Sequence, residues 1–219
     1  MRDKRITIVS GHYGSGKTNI ALNLAMELKK RHEKVAIADI DIVNPYFRTK
    51  DSEKILSEQG IRLICSDYAN TNLDIPALPQ DIYAITDDRS TFFVLDVGGD
   101  ERGALALGRI APAIAQEADF EMLYVVNFFR PLTRQADSAI EIMREIEGAC
   151  GLRFTAVINN SNLGAETVKK DVLMSVALAE QVADRAGIPL AYNTVPFFLS
   201  DEFRQDGERF KSILLQKHL

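Results

Sequence analysis

The chain has few residues of the kinds that build metal centres or cross-links. Its 219 residues include two cysteines, Cys65 and Cys150, and three scattered histidines, His12, His32 and His218. No two cysteines are spaced C-x-x-C, which argues against a zinc site or an iron–sulfur cluster within one chain. Two unpaired thiols are typical of a reducing compartment, so we expect a cytoplasmic protein.

Long apolar runs and an excess of positive charge are also missing. No apolar stretch approaches the roughly 20 residues that a membrane-spanning helix needs, and the chain enters its first strand without a signal peptide. The formal net charge is −5, whereas a general nucleic-acid binder is usually basic. These absences predict that neither a membrane nor a nucleic acid is a partner.

What the chain does contain is an alternation of strand and helix patterns. Several apolar runs, such as FFVLDV and MLYVVN, are nearly continuous, as in strands that are covered on both faces. The alternation predicts a single α/β domain over 1–219, with a doubly wound, mostly parallel sheet of about seven strands and helices on both faces. The strands are predicted at 4–10, 35–40, 61–66, 91–97, 121–127, 153–159 and 189–195. The helices are predicted at 17–32, 51–59, 78–86, 102–117, 133–149, 165–186 and 200–217.

The most informative segment is GHYGSGKT, residues 11–18, called the P-loop below. It matches G-x-x-x-x-G-K-[ST] and lies between a predicted strand and a predicted helix, the context in which this motif binds phosphate. Backbone N–H groups and the helix N-terminus would hold phosphate, Lys17 would reach the β- and γ-phosphates, and the Thr18 hydroxyl would hold Mg²⁺. A glycine-rich turn that binds nothing would explain the glycines but not the Lys-Thr pair. The predicted nucleotide-binding residues of the loop are Gly11, His12, Tyr13, Gly14, Ser15, Gly16, Lys17 and Thr18.

Two further strands end in acids. The second strand runs into DIDIVNP, with Asp39 and Asp41 in alternation, and the fourth ends in VLDVGGD, with Asp96 before two glycines. Beside a P-loop, one carboxylate can hold Mg²⁺ through its water shell and another can orient or deprotonate the attacking water. The alternatives are turn-forming acids before Asn44-Pro45 and an aspartate in a plain Gly-Gly turn.

GHYGSGKT, DIDIVNP and VLDVGGD, in this order and spacing, resemble the MinD/ParA/CobQ-type P-loop NTPases with a deviant Walker A motif. The resemblance covers essentially the whole chain. It implies ATP and Mg²⁺ as cofactors, slow hydrolysis, and a homodimer that switches a partner on and off. It assigns phosphate to Lys17, metal to Thr18, Asp39 and Asp96, and the catalytic water to Asp41.

The chain departs from that family at two positions of the loop. MinD and ParA proteins carry a lysine where this chain has His12, and that lysine reaches the nucleotide of the partner subunit. Histidine is shorter than lysine and only partly charged at neutral pH. The next glycine of the family motif is replaced by Tyr13, which either packs over the loop or contacts the nucleotide.

The end of the sixth strand bears on the choice of base. A GTPase would have N-K-x-D there, but the chain reads INNSN, without an acid at that spacing. Amides of Asn159 and Asn160 can pair with adenine, and Pro196 and Phe197 after the last strand could lie beside the base. The sequence therefore favours ATP over GTP, although two asparagines in a strand-end turn remain an alternative.

Three more segments carry weaker signals. The irregular stretch 66–79 is predicted to be a surface loop, of the kind that often carries function. Arg130 and Arg134 follow the fifth strand and could touch phosphate, substrate or a partner, although surface arginines often have no specific role. The C-terminal stretch is predicted to be a helix packed on the sheet rather than a membrane helix.

Three hypotheses of function remain. The first is a Mg²⁺-dependent ATPase that acts as a switch on a protein partner. The second is an ATP-dependent biosynthetic enzyme that activates a small acid, as the CobQ/CobB- and dethiobiotin-synthetase-like relatives do. The third is a nucleotide-binding module that barely hydrolyses, since His12 replaces the activating lysine.

Overall fold

The structure, a computed structural model, describes residues 3–40, 50–65, 82, 84–207 and 209–213. Predictions that fall on Asp41, on the loop 66–79 and on the first part of the helix at 78–86 lie outside the described residues. The strands are β1 (Ile6–Ser10), β2 (Val35–Asp39), β3 (Arg62–Ile64), β4 (Phe92–Asp96), β5 (Phe120–Val126), β6 (Ala156–Asn159), β7 (Leu190–Pro196) and β8 (Phe210–Ile213). The helices are α1 (Lys17–Lys29), α2 (Lys50–Glu58), α3 (Ala84–Asp87), α4 (Glu101–Gly108), α5 (Ala111–Glu117), α6 (Ala136–Cys150) and α7 (Lys169–Ala186).

The strands form one eight-stranded sheet in the order β3-β2-β4-β1-β5-β6-β7-β8. Every neighbouring pair is parallel, so the carboxyl ends of all strands meet at one edge. The order reverses direction around β1, which places β4 on one side of it and β5 on the other. In open α/β sheets the crevice at such a reversal is where ligands bind.

Each face of the sheet is covered by its own set of helices, as the apolar runs predict. Side chains on alternate positions of β1 belong to different clusters: Ile6 and Ile8 pack with residues of α4 to α7, and Val9 packs with α1 and α2. All five residues of β1 are buried, because a central parallel strand has no solvent face. The doubly wound α/β architecture with helices on both faces is therefore confirmed.

The prediction of a C-terminal helix at 200–217 is wrong. The chain instead forms a 3-10 helix, Phe197–Phe203, and then β8, which pairs with β7 and brings the number of strands among the described residues to eight. Gly207 has a φ of 78° and turns the chain between the two, and the rings of Phe203 and Phe210 pack 4.8 Å apart. The apolar spacing that indicates a helix here also fits a turn followed by an edge strand.

The single helix predicted at 102–117 is two helices. α4 ends at Gly108, and α5 begins at Ala111 with a proline in its first turn. A proline there lacks the N–H that an uninterrupted helix would need and instead suits a helix start.

Among the described residues, no helix is both long enough and apolar enough to cross a bilayer.

Candidate functional site

The P-loop joins β1 to α1 at the reversal point of the sheet. Two of its glycines allow close approaches, one to a backbone carbonyl and one to a side-chain amide. A Cβ on Gly11 would lie 2.1 Å from the carbonyl oxygen of Val125, and one on Gly16 would lie 2.3 Å from the Asn160 amide nitrogen. A side chain at position 11 would move the loop away from β5, and one at position 16 would move it away from the end of β6. Glycine at these positions therefore allows the loop to lie against the sheet.

The first turn of α1 lacks a side-chain cap from its N-cap residue. The N-cap is Gly16 in the left-handed conformation, without a side-chain hydrogen bond, and the first turn contains no acid. The N–H groups that a helix leaves unpaired at its start are normally capped by a side chain or bound by a ligand. Lys17 is 6% exposed, and its Nζ lies 3.4 Å from the His12 carbonyl oxygen. A cationic side chain and an uncapped helix start together form a binding site for an anion.

Two carboxylates lie side by side next to the loop. Asp39 and Asp96 end the neighbouring strands β2 and β4 and are partners in the sheet register, and Asp96 is also in register with Val9 just before the loop. Register partners on parallel strands project to the same face, about 4.8 Å apart. Adjacent carboxylates repel each other unless a cation lies near both, so this position favours a cation.

The oxygen ligands at this position fit Mg²⁺. Carboxylates and hydroxyls are the groups that Mg²⁺ prefers, and it keeps several waters and phosphate oxygens as its other ligands. Within the described residues no group of three or more His, Cys, Asp and Glu side chains could hold a metal by itself. Thr18, Asp39 and Asp96 therefore suit a metal that arrives with nucleotide, and their role as its ligands stays a prediction.

The segment after β4 touches the P-loop directly. A Cβ on Gly99 would lie 1.7 Å from the carbonyl oxygen of Gly11. The Asp100 carboxylate then caps α4 by accepting a hydrogen bond from the Gly103 amide at 3.0 Å. A movement of the phosphate-binding part of the loop would therefore displace the start of α4.

The asparagines that the sequence assigns to the base have protein partners. Asn159 is 1% exposed and donates to Ser175 and Asn193, at 2.8 Å each. Asn160 is also 1% exposed, donates to the carbonyl oxygen of Ser15 at 2.7 Å and accepts from Thr194 at 2.7 Å. Contact with the base stays a prediction, but the observed bonds tie the P-loop to β6 and β7.

The supporting residues in this network could not be found from the sequence. Thr194 and Asn193 are 34 residues from their partners Asn160 and Asn159, and only their place in the last predicted strand hinted at the site. Pro196, at the end of the same strand, is buried, and Phe197 after it is 61% exposed. The contact of Phe197 with a base stays a prediction.

The two loop residues that depart from the family motif lie near the surface. Tyr13 is 68% exposed, and His12 has its Nδ1 2.9 Å from the Tyr13 carbonyl oxygen. A cavity of about 530 Å³ lies beside them. Its walls are apolar side chains of α4 and α6, and the carboxylate residues Asp100 and Glu145 also line it.

Arg130 makes a specific contact that its position in the sequence only suggested. Its Nε donates to the carbonyl oxygen of Gly14 in the P-loop at 2.8 Å. Arg134, four residues later, is exposed at the end of the 3-10 helix Pro131–Thr133. Of the two arginines, the structure brings Arg130 to the loop.

Comparison with known proteins identifies the family. A model of the CobQ/CobB/MinD/ParA nucleotide-binding domain matches residues 6–174, more than half of the chain. The chain belongs to this family of nucleotide-binding proteins. No curated protein sequence matches the chain.

Solved structures with the same fold include signal recognition particle proteins. The cell division protein FtsY of Thermotoga maritima is 19% identical, with a TM-score of 0.56, over 87% of this chain and 61% of that one. FtsY of Elizabethkingia anophelis in complex with GDP is 17% identical, with a TM-score of 0.54, over 89% and 58%. The 54 kDa signal recognition particle protein of Aeropyrum pernix in complex with GDP is 15% identical, with a TM-score of 0.54, over 88% and 41%. The chain thus spans less than two thirds of these proteins, and the likeness is one of fold.

Proposed function

We propose that this member of the CobQ/CobB/MinD/ParA family binds Mg-ATP in one nucleotide-binding domain over 1–219, hydrolyses it slowly, and acts as a nucleotide-dependent switch. One observation carries the proposal: the P-loop and the in-register pair Asp39 and Asp96 lie together at the reversal point of the sheet. A phosphate site without carboxylates would bind nucleotide but offer Mg²⁺ no charged protein ligand.

The roles follow from chemistry and position. The uncapped start of α1 and the Lys17 ammonium hold the phosphates, and Lys17 neutralises charge that moves onto them during cleavage. Thr18, Asp39 and Asp96 hold Mg²⁺, directly or through its waters. When bound, the metal stabilises negative charge on the phosphate oxygens. Asp41, outside the described residues, orients the attacking water, as the family resemblance implies.

ATP is the proposed nucleotide because the end of β6 lacks the acid that would accept from guanine. Two of the proteins that share the fold are in complex with GDP, so the choice of base needs a direct measurement. Titration of the protein with ATP and with GTP, each with Mg²⁺, gives it. Tighter binding of GTP would contradict the proposed base.

The switch is proposed from the contact between Gly99 and the P-loop. Loss of the γ-phosphate would move the segment that begins α4, because that segment lies against the loop. A homodimer that forms around nucleotide is the partner arrangement common in the family, and the half-buried His12 and the exposed Tyr13 would then face the second subunit. The other partner would be a protein that senses the state of α4.

The test combines turnover with molar mass. Phosphate release is measured with ATP and Mg²⁺, and light scattering is run with and without a non-hydrolysable ATP analogue. Slow ATP-selective turnover and an analogue-dependent dimer would support the switch. The variant Lys17→Ala should abolish both, and Asp41→Ala should abolish turnover while nucleotide binding persists. If turnover survives Asp41→Ala, the assignment of the water-orienting residue is wrong.

A second candidate is ATP-dependent activation of a small molecule, and the cavity beside His12 and Tyr13 favours it. A volume of about 530 Å³ is in the range of small-ligand sites. Turnover that requires a small molecule, by a protein that stays monomeric, would support this candidate over the switch. Tight Mg-ATP binding without phosphate release under any condition would instead indicate a binding module.

A further inference from the structure

Arg130 is held in place by a rigid turn at the end of β5. Its backbone N–H donates to the carbonyl oxygen of Asn127 at 3.1 Å, and its own carbonyl oxygen accepts from the Thr133 amide at 3.1 Å. The Thr133 hydroxyl also donates to the Asn127 carbonyl oxygen at 2.6 Å. The Asn127 side chain reaches across to the Asn162 carbonyl oxygen at 3.2 Å. The base of the Arg130 side chain is therefore fixed relative to β5 and the loop after β6.

The guanidinium group lies against the P-loop. Its Nε donates to the Gly14 carbonyl oxygen at 2.8 Å. Gly14 has a φ of 75°, and a Cβ there would lie 3.3 Å from the same Nε, closer than most side-chain contacts. Glycine at position 14 thus serves both the left-handed backbone and the approach of the arginine.

A second side chain binds the next carbonyl of the loop. The Asn160 amide donates to the Ser15 carbonyl oxygen at 2.7 Å, so two consecutive peptide groups are held from outside. In a trans peptide the N–H points away from the C=O. Arg130 therefore sets the direction of the Ser15 N–H, which bonds to the His12 carbonyl oxygen at 3.1 Å, and Asn160 sets that of the Gly16 N–H.

The two clamps differ in burial and in charge. Asn160 is 1% exposed and neutral, whereas Arg130 is exposed at the surface and permanently charged. Among the described residues no carboxylate forms an ion pair with Arg130. Within the described part of the chain, the one hydrogen bond of its side chain goes to Gly14 in the P-loop.

We propose that Arg130 is a positioning residue of the nucleotide site, which holds the Gly14–Ser15 peptide so that the P-loop keeps its phosphate-binding shape before nucleotide arrives. This inference rests on the proposed nucleotide binding at the same loop. Without the arginine, this peptide is restrained by the bond from the Ser15 N–H to the His12 carbonyl oxygen alone, and binding must then include a larger cost of ordering it.

The experiment compares Arg130→Ala with Arg134→Ala, which removes the same charge four residues away. Two quantities are measured: the nucleotide dissociation constant with Mg²⁺, and amide hydrogen exchange of residues 11–18 without nucleotide. Arg130→Ala should weaken binding about 5- to 10-fold, the size of a typical net hydrogen-bond contribution, because Arg130 is exposed to solvent, and it should speed exchange in the loop. Arg130→Lys should recover part of both effects, and Arg134→Ala should change neither.

Three results would count against the proposal or against its premise. Equal behaviour of Arg130→Ala and Arg134→Ala in both measurements would overturn it. Weaker binding without faster exchange would also overturn it, because the arginine would then act on the ligand rather than on the loop. If the wild-type protein binds no nucleotide, the proposed function fails, yet the exchange comparison still shows whether Arg130 orders the loop.

Discussion

The two sides of the P-loop are built from different chemistry. On one side, at the ends of β5, β6 and β7, lie Asn127, Asn159, Asn160, Asn193 and Thr194, called the amide side below. On the other, at the ends of β2 and β4, lie Asp39, Asp96, Gly98 and Gly99, called the acid side below. On the amide side, Asn160 bonds the loop at the Ser15 carbonyl oxygen, and further side-chain hydrogen bonds support it from behind. The acid side meets the loop through a glycine and presents carboxylates.

The amide side supports the loop, whereas the acid side carries the groups suited to bind a cation. Neutral amides that satisfy each other inside a protein make a rigid network, since each lost bond would leave a buried polar group unpaired. Carboxylates in adjacent positions favour an added cation, and glycines allow a backbone to move. We therefore expect changes on the acid side to affect ligand and metal, and changes on the amide side to affect stability.

The largest effect is expected where the acid side touches the loop. Gly99→Ala would place a Cβ 1.7 Å from the Gly11 carbonyl oxygen, so the backbone must shift. A displacement of about 1 Å in a site can cost about 100-fold in catalytic rate, and we expect phosphate release to slow by that order and the nucleotide affinity measured in a titration to fall with it. Gly148→Ala is the matched control, because a Cβ there meets nothing within 4 Å. Unchanged affinity in Gly99→Ala would show that the contact is not part of the site.

The next effect concerns the metal. Asp96→Asn keeps the size of a side chain that is 3% exposed but removes its charge, so the Mg²⁺-dependent part of nucleotide affinity should fall about 10- to 100-fold. Affinity measured with EDTA should not fall. Asp201→Asn, at an exposed ion pair, serves as the control. A loss of equal size with and without metal would contradict the assignment of Asp96 to Mg²⁺.

A smaller effect is expected from the amide side. Asn160→Ala removes the bonds to Ser15 and Thr194 and leaves buried partners unsatisfied, which costs about 1–3 kcal/mol in the free energy of unfolding. Urea denaturation of the nucleotide-free protein measures this. Thr194→Val, which removes only one of the two bonds, should lose less. If Asn160→Ala is as stable as the wild type, the amide side is not a scaffold.

The smallest effect lies at the opposite end of the sheet. Burial raises the pKa of Glu121, opposed by a hydrogen bond from Thr7 to its Oε1 at 3.0 Å. A carboxyl with a raised folded-state pKa stabilises the fold fully below its ordinary pKa, and that contribution is lost as the pH rises through the raised value. Glu121→Gln should therefore raise the melting temperature slightly at pH 7 and not at pH 4. Nucleotide affinity should stay the same, and a change would show that the two ends of the sheet are coupled.

The sequence predicted the P-loop, the strand-end acids and the doubly wound sheet, because each rests on local spacing. Arg130 and Gly14 are 116 residues apart, and their contact depends on how β5 lies beside β1. The partners of Asn160 are also distant in the sequence and could not be predicted from it. An asparagine at a strand end can bind either a base or a neighbouring loop. At the C-terminus, Phe203, Phe210 and Ile213 fit helical spacing and an edge strand alike, and pairing with β7 decides between them.

Because the start of α1 is uncapped, the stability of the folded protein, and hence its lifetime in a cell, depends on its ligand. The first N–H groups of this helix gain phosphate oxygens as acceptors when nucleotide binds. A ligand that binds only the folded state stabilises that state by mass action. At a ligand concentration 100 times the dissociation constant, this amounts to about 2.7 kcal/mol. In a cell depleted of nucleotide, the unfolded fraction would rise about 100-fold, and proteases that act on unfolded chains would remove the protein faster.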